Sequence, residues 1–326
     1  LMIRRPPRST LERSSAASDV YKRQVVMNTP DANTISAAEH TMALILALSR
    51  NVSYGHESIS KGEWNRHKLI GSELRHKTLG IVGLGKIGRE VLQRSQAFNM
   101  KILGYDPFIP EDFFREDELQ ICDLDYLIEN SDYITLHIPL TKDTNNLFDY
   151  NNLIKMKKDA RIINVARGGI INENDLSKVL IENKIAGAAL DVFESEPLPI
   201  DSPLISAKNI ILTPHLGAST KEAKEGVSLS ICNQVKNFLI NDELGNAVNM
   251  PFQNFSQLKE MAPFLRLSEL LGRIHSQVSS GPIAEVIINC FGSISETKPI
   301  GLSLSLIHIS EPTRPRLISY AVFCLK

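Results

Sequence analysis

The chain has 326 residues, of which 43% are hydrophobic and 22% are charged, and its 36 basic and 37 acidic residues give a net charge of -1. This composition excludes an intrinsically disordered chain and indicates about two globular domains. The balanced charge does not favour a nucleic-acid partner, and the longest apolar run of the main body, Met42 to Leu48, is too short to cross a membrane. No two of the four cysteines form a CxxC motif, so the sequence predicts neither a disulfide framework nor a metal site. We therefore expect a cytoplasmic protein of a reducing compartment.

The two ends of the chain differ in pattern from its middle. Residues 1–24 are rich in Arg, Ser and Pro and show no helical or strand period. A transit peptide has a similar composition, but the adjacent Pro6 and Pro7 would break the amphipathic helix that such a peptide needs. We expect residues 1–24 and 301–326 to be translated sequencing-adapter sequence that forms no structure. Residues 25–300 would then specify the fold.

The first predicted element is a helix. Ser36-Ala-Ala-Glu39 reads as a capping box, and the apolar residues that follow predict a largely buried helix to about Leu48. Residues 51–76 are polar and irregular, and they contain the only tryptophan, Trp64. This stretch is predicted either to contact a second copy of the chain or to be a surface loop.

From Lys77 onward, short apolar strands alternate with helical stretches. The predicted strands are 78–82, 101–105, 133–137, 161–165, 187–192 and 210–213. The predicted helices are 87–98, 124–129, 151–156, 173–183 and 220–240, and the last is expected to begin with a second capping box, Ser219 to Glu222. This alternation predicts an α/β fold with a doubly wound parallel sheet of the Rossmann type and right-handed crossovers.

Residues 83–88, GLGKIG, form a GxGxxG motif between a predicted strand and a predicted helix, which is the context of a dinucleotide site. Gly83 would allow the tight turn, Gly85 the approach of a pyrophosphate, and Gly88 the packing of the helix on the sheet. The helix N-terminus would offer amides and partial positive charge to the phosphates. At the end of the next strand, the Asp106 carboxylate would bind the adenosine ribose and repel a 2′-phosphate, which predicts NAD and not NADP.

Arg167, in the segment NVARGG, follows a predicted strand at the edge where open α/β sheets bind ligands. A guanidinium group matches the two oxygens of a carboxylate, so Arg167 is a candidate for binding an acid substrate. The other interpretation is that it pairs with a nearby acid and stabilises a loop.

His215 follows the last predicted strand and a proline, and its imidazole is suited to proton transfer near neutral pH. A carboxylate on its second nitrogen would fix the tautomer, and Glu196 and Asp191 are both candidates for that partner. Alternatively, His215 caps the following helix or lines a loop.

Six motifs carry a family resemblance. They are, in this order, GLGKIG, YDP, HIPLT, NVARGGI, DVFESEP and TPHLGAST. The chain resembles the D-isomer-specific 2-hydroxyacid dehydrogenases over about residues 25–300. The resemblance implies an NAD-dependent enzyme in which His215 is the general acid and base, Glu196 is its partner, and Arg167 binds the substrate carboxylate. It implies Asn33 as a further substrate contact.

The resemblance also implies an NAD site formed by the glycine loop, the strand ends and the loop at His215. The residues implied are Gly83, Gly85, Lys86, Ile87, Gly88, Asp106, Ile138, Val165, Ala166, Arg167, Asp191, His215, Leu216, Gly217 and Ala218. Ile138 would contact the cofactor by packing alone.

The domain organisation that the resemblance implies is an NAD-binding domain at residues 34–218 beside a flavodoxin-like substrate domain. Residues 25–33 would be a remnant of that substrate domain, and 219–245 a helix that returns to it. Residues 246–300 would begin a regulatory extension. Because most of the substrate domain is expected to be missing, we expect a chain that binds NAD but turns substrate over poorly.

The resemblance implies 3-phosphoglycerate as the small-molecule substrate, and glyoxylate or hydroxypyruvate as alternatives. It also implies a homo-oligomer. Some members use the same fold as an NAD-sensing corepressor scaffold and keep the same Arg, Glu and His. A non-enzymatic function of that kind is therefore the second hypothesis.

Overall fold

Within the described residues, seven parallel strands form one sheet in the order β3-β2-β1-β4-β5-β6-β7. The strands are β1 (Thr78–Val82), β2 (Lys101–Tyr105), β3 (Gln120–Ile121), β4 (Tyr133–Leu136), β5 (Arg161–Asn164), β6 (Gly187–Leu190) and β7 (Ile210–Leu212). The helices are α1 (Thr34–Arg50), α2 (Val52–Ser60), α3 (Lys86–Ala97), α4 (Leu124–Asn130), α5 (Tyr150–Lys155), α6 (Glu173–Ile181), α7 (Pro203–Ser206) and α8 (Lys221–Asn241), with a 3-10 turn at Arg66–Lys68. The predicted doubly wound Rossmann-type fold is confirmed.

The computed structural model describes residues 25–110, 113–115, 118–241 and 243–247, with isolated positions between 263 and 274. The chain divides into two compact units, one of which is Pro30–Val227. The end segments 1–24 and 301–326 lie outside the described residues, as does nearly all of the predicted regulatory extension. The predicted domain boundaries therefore stay predictions.

Both faces of the sheet are covered by helices, because successive strand side chains point to opposite sides. In β5, Ile162 belongs to the hydrophobic cluster formed with α4, α5, α6 and α7, and the next residue, Ile163, belongs to the cluster formed with α1 and α3. Leu79 and Ile81 of β1 pack into the α1 and α3 cluster, whereas Val82 packs on the opposite face. The apolar runs of the strands follow from this double burial.

The strand order reverses between β1 and β4, which pair in parallel although β2 and β3 lie between them in the chain. Such a switch point opens a crevice at the carboxyl ends of the strands, where doubly wound proteins bind ligands. The topology therefore places the loop after β1 at the crevice.

Four elements differ from the sequence predictions. Strand β3 is only two residues long and pairs at the edge of the sheet, and α7 is a single turn that begins with Pro203, so neither gives a periodic pattern. The stretch 51–76 is not wholly irregular, because α2 and the 3-10 turn lie within it. None of the residues of α2 is buried, which explains why its sequence shows no apolar face.

Both predicted capping boxes are wrong. Helix α1 begins at Thr34, before Ser36, whose hydroxyl instead hydrogen-bonds the Thr220 hydroxyl at 2.7 Å. Helix α8 is capped one residue later than predicted, since the Thr220 hydroxyl accepts from the amide of Ala223 at 3.1 Å. Thr220 has a β-branched side chain that caps as Ser219 would, so the sequence pattern allowed both positions.

The described residues of the second unit lie before Pro30 and after Val227. Among its described residues, Met27 forms an antiparallel bridge with Ala247, and the amide of Asn28 donates to the carbonyl of Asn246 at 3.2 Å. The side-chain amide of Gln234, on α8, donates to the carbonyl of Asn28 at 3.1 Å. In the part of the chain that the structure describes, no helix combines the length and apolar character that a membrane span requires.

Candidate active site

The predicted site residues follow six of the parallel strands and therefore lie at one edge of the sheet. The glycine loop follows β1, Asp106 follows β2, Ile138 follows β4, Arg167 follows β5, Glu196 follows β6, and His215 follows β7. The loops contact one another in the order of the strands. This edge is thus a continuous surface that is built from segments far apart in sequence.

The glycine loop is fixed by two close backbone approaches. Gly83 has a φ of 95°, and a Cβ at this position would lie 2.6 Å from the carbonyl oxygen of His137, so the turn requires glycine. A Cβ at Gly88 would lie 2.1 Å from the carbonyl oxygen of Gly83, so the first turn of α3 packs directly on the turn. These contacts are those that the GxGxxG spacing predicts.

The residues present fit a dinucleotide. A Cβ at Gly85 would meet no atom within 4 Å, so the backbone of the loop is open to a ligand there. Helix α3 begins without a side-chain cap and without an acidic residue in its first turn. Its N-terminal amides and partial positive charge are therefore available to a pyrophosphate. Lys86, the first residue of this helix, is exposed and pairs with Asp31.

Asp106 has a structural role that the sequence did not show. Its Oδ2 accepts a hydrogen bond from the amide of Leu84 at 2.9 Å, and its Oδ1 accepts from the amide of Phe108 at 3.0 Å. The carboxylate at the end of β2 thus holds the glycine loop, and its contact with the ribose stays a prediction. Both roles require an acceptor, whereas the repulsion of a 2′-phosphate requires the charge.

Arg167 lies on a loop that Asn164 shapes. The side-chain oxygen of Asn164 accepts from the amide of Ala166 at 3.0 Å, and its nitrogen donates to the carbonyl of Arg167 at 2.9 Å. The guanidinium group of Arg167 is exposed and donates to the carbonyl of Ala166 at 2.6 Å. No ion pair holds Arg167 within the described residues, so the interpretation as a loop-stabilising pair receives no support.

The loop of Arg167 and the loop of Glu196 are packed backbone against backbone. A Cβ at Gly168 would lie 1.9 Å from the carbonyl oxygen of Phe193. The amide of Phe193 in turn donates to Oε1 of Glu196 at 3.1 Å. The position of Glu196 is thus tied to the segment that carries the arginine.

Glu196 contacts the imidazole of His215, with 2.8 Å between Oε2 and Nδ1. Burial acts to raise the pKa of Glu196, but the hydrogen bonds from His215 and from the Phe193 amide hold that pKa below its usual value. An ionised carboxylate only accepts, so Nδ1 of His215 carries a hydrogen and Nε2 is the nitrogen with a lone pair. Of the two candidate partners, the structure places Glu196 on the ring.

Asp191 instead organises the loop around His215. It is completely buried, and it accepts from the Thr213 hydroxyl at 2.6 Å and from the amides of Leu216 and Gly217 at 2.8 Å each. Burial acts to raise the pKa of Asp191, but these bonds and one from His40 outweigh burial and hold the pKa below its usual value. The carboxylate is therefore charged at neutral pH and binds the loop on both sides of His215.

His40 is a site residue that the sequence interpretation missed. Its Nε2 lies 3.1 Å from Oδ1 of Asp191 and 3.3 Å from the hydroxyl of Thr213. The position of His215 after a strand favoured it as the candidate, whereas His40 lies within α1. The sequence does contain one indication of this role. Ser36 and His40 are polar residues one turn apart on a mostly buried helix, so they share a face that must meet polar partners.

A second histidine at the same edge is unsuited to proton transfer. His137 follows β4, and its Nε2 lies 3.0 Å from the hydroxyl of Thr135. Burial lowers the pKa of His137 to about 3, so this ring stays neutral at physiological pH.

The other predicted residues lie along the same edge or beside it. Val165 is buried and Ala166 half-buried, Leu216 and Ala218 are exposed, and Ile138 packs against the glycine turn. Asn33 stands directly before α1 and makes no side-chain capping bond. It is two residues from Asp31, which contacts Lys86 of the glycine loop. Their predicted contacts with cofactor or substrate remain predictions.

A glycine loop at the switch point of a parallel sheet is the arrangement of the dinucleotide-binding oxidoreductases. Residues 42–217 match the family model described as D-isomer specific 2-hydroxyacid dehydrogenase, NAD binding domain. The chain therefore belongs to the D-isomer specific 2-hydroxyacid dehydrogenase family, and the resemblance that the six motifs indicated is confirmed.

Known proteins agree with this assignment. The chain is 43% identical over 275 residues to D-3-phosphoglycerate dehydrogenase of Methanocaldococcus jannaschii, covering 84% of this chain and 52% of that protein. The chain thus spans about half the length of the curated relatives it matches. It is similar to the NAD-dependent formate dehydrogenase of Staphylococcus aureus in complex with NAD, with a TM-score of 0.64, 33% identity and coverage of 71% and 69% of the two chains. A glyoxylate reductase from Paecilomyes thermophila has a TM-score of 0.63 at 32% identity, covering 69% of this chain and 68% of that one.

The pKa of Asp191 predicts a pH dependence of stability. Because its folded-state pKa is depressed, its contribution is complete above about pH 4 and is lost as the pH falls through the folded-state value. We expect Asp191→Asn to lower the free energy of unfolding by urea at pH 7, and the difference from the unmodified chain to shrink below about pH 4. The exposed Asp159→Asn is the control. If the free energies of unfolding of the variant and the unmodified chain differ by the same amount at pH 7 and at pH 3, this explanation is contradicted.

Proposed function

We propose that the chain catalyses the NAD-dependent oxidation of a D-2-hydroxy acid, namely D-3-phosphoglycerate to 3-phosphohydroxypyruvate. The observation that carries the proposal is the His215–Glu196 pair, at 2.8 Å, on the same sheet edge as the glycine loop and Arg167. The choice of substrate is supported by the curated relatives named D-3-phosphoglycerate dehydrogenase, which include the archaeal protein above and a human one at 40% identity over 258 residues.

His215 acts as the base. Since Nδ1 is bound to Glu196, Nε2 takes the proton from the C2 hydroxyl of the substrate. The carboxylate of Glu196 stabilises the imidazolium that results and keeps the ring in one tautomer. NAD, when bound, supplies the acceptor for the hydride from C2. In the reverse direction, His215 returns the proton to the carbonyl oxygen.

Arg167 binds the substrate carboxylate. Its guanidinium group is exposed, and the bond to the Ala166 carbonyl holds it without neutralising its charge. A planar guanidinium can bind both carboxylate oxygens and so orient C2 toward His215. The glycine loop and the N-terminus of α3 would hold the pyrophosphate of NAD, and Asp106 its ribose.

We further propose that the chain acts as a homo-oligomer through the segment between α1 and β1. In this segment Trp64 is 82% exposed and Ile70 is 84% exposed, and large apolar side chains of this kind are concentrated at protein interfaces. Sedimentation velocity measures this directly. We expect a species of at least twice the monomer mass that dissociates in Trp64→Glu, and a monomeric unmodified chain would contradict it.

The reaction is tested by replacing the base. Removing His215 eliminates proton transfer, which typically contributes roughly 10²–10⁴-fold, so His215→Ala is expected to lower kcat by roughly 10² or more. The measurement is NADH formation from D-3-phosphoglycerate and NADH consumption with 3-phosphohydroxypyruvate, with hydroxypyruvate and glyoxylate as rival substrates. Fluorescence titration with NADH on the same preparations is the control and should give equal affinities.

Two outcomes would contradict the proposal. Faster turnover of glyoxylate or hydroxypyruvate than of the phosphorylated acid would assign a different substrate. Full NADH binding without turnover of any 2-hydroxy acid, in a version that carries a restored N-terminal substrate segment, would favour the corepressor class over the enzyme.

Cofactor preference is tested at Asp106. Asp106→Asn removes the charge but keeps one acceptor oxygen, so it retains the hydrogen bond from the amide of Leu84 and gives up the one from the amide of Phe108. Like charges in contact cost several kcal/mol, so the unmodified chain should bind NADH more tightly than NADPH, and the variant should narrow that ratio by about tenfold or more. Both affinities are measured by fluorescence titration. Equal affinities of the unmodified chain for NADH and NADPH would show that the charge of Asp106 does not discriminate between the two cofactors.

A further inference from the structure

We propose that His40 is a positioning residue for proton transfer, which holds the loop of His215 in its active conformation through Asp191 and Thr213. The inference rests on the proposed function of His215. It adds a residue from helix α1 that lies outside the loops of the sheet edge.

The first observation is the setting of His40. Its side chain is 19% exposed, and Nε2 reaches both Oδ1 of Asp191 at 3.1 Å and the hydroxyl of Thr213 at 3.3 Å. Asp191 is charged and can only accept, and the Thr213 hydroxyl already donates to the same oxygen at 2.6 Å. Nε2 of His40 must therefore carry a hydrogen and act as the donor.

The second observation concerns the residues that hydrogen-bond to the carboxylate of Asp191. Donors to Asp191 come from residues before His215, through Thr213, and after it, through the amides of Leu216 and Gly217. His215 itself has a φ of 55°, a left-handed conformation that is uncommon for a residue with a Cβ. A backbone of this kind persists only where its surroundings determine it.

These observations give His40 a specific task. The donor from α1 fixes the orientation of a buried carboxylate that in turn fixes the backbone on both sides of the base. Without that donor, Asp191 would keep its charge but lose one of four hydrogen bonds and gain freedom to rotate. The ring of His215 would then spend less time at the angle that proton transfer requires.

The test compares substitutions that do and do not reach Asp191. Glutamine can place a donor near the position of Nε2, whereas asparagine is too short, and both are polar residues that a helix tolerates. We expect His40→Asn to lower kcat by roughly 10- to 100-fold, with the KM for substrate and the affinity for NADH nearly unchanged, because misplacement of a reacting group acts on the chemical step. His40→Gln should recover most of kcat. The neighbouring, exposed Glu39→Gln on the same helix is the control and should behave as the unmodified chain.

A second measurement does not depend on activity. The amides of Leu216 and Gly217 both donate to Asp191, so their hydrogen exchange reports the hold on the loop directly. Exchange at these two amides should be at least about tenfold faster in His40→Asn than in His40→Gln, with exchange in β5 and β6 unchanged. If a version with a restored N-terminal substrate segment turns over no 2-hydroxy acid, the proposed function fails while this exchange measurement still decides the role of His40.

Two results would overturn the inference. The first is equal loss of kcat in the glutamine and asparagine variants together with an equal loss of thermal stability, which would make His40 a packing residue of α1. The second is unchanged kcat and unchanged exchange at Leu216 and Gly217 in His40→Asn.

Discussion

The carboxylate of Asp191 is completely buried and accepts hydrogen bonds from a helix, from a strand end and from two consecutive amides. Burying a charged carboxylate lowers the stability of the fold unless hydrogen-bond donors surround it. Asp191 therefore needs these donors, and the donors in turn need Asp191 as their acceptor. The loop after β7 can adopt the conformation that presents His215 because Asp191 is there to bind it. The geometry of the acid–base pair therefore depends on a residue that does not itself need to touch the substrate.

Three carboxylates hold different parts of the sheet edge. Asp106 binds the glycine loop, Asp191 binds the loop of His215, and Glu196 binds the imidazole. Each carboxylate follows a different strand, so the parallel sheet sets their spacing and the loops need only short connections. All three acids accept hydrogen bonds from backbone amides, and Asp191 and Glu196 each contact an imidazole as well, from His40 and His215.

The fold was predictable because the strands are buried on both faces. Apolar residues in succession, such as Ile162 and Ile163, predict a strand that is buried on both faces, and the glycine spacing predicts a dinucleotide loop between β1 and α3. The two-residue strand β3 and the solvent-exposed helix α2 were not predictable in the same way, since neither has an apolar period. In the site, residue type and position alone left Glu196 and Asp191 as candidates for the partner of His215, and the family resemblance favoured Glu196. The tertiary packing shows that Glu196 meets His215 and that Asp191, with His40 from α1, supports the loop of His215.

The contact between Gly168 and the carbonyl of Phe193 has a consequence for how members of this family can diversify. The segment that carries the arginine and the segment that carries the glutamate share one backbone surface with no side chain between them. Neither segment can lengthen, shorten or shift alone without opening a gap or a clash. Directed evolution toward a new acid should therefore find its gains by exchanging both segments as a single cassette, or by altering residues from outside this contact, and libraries that randomise one segment at a time should return mostly the parental backbone.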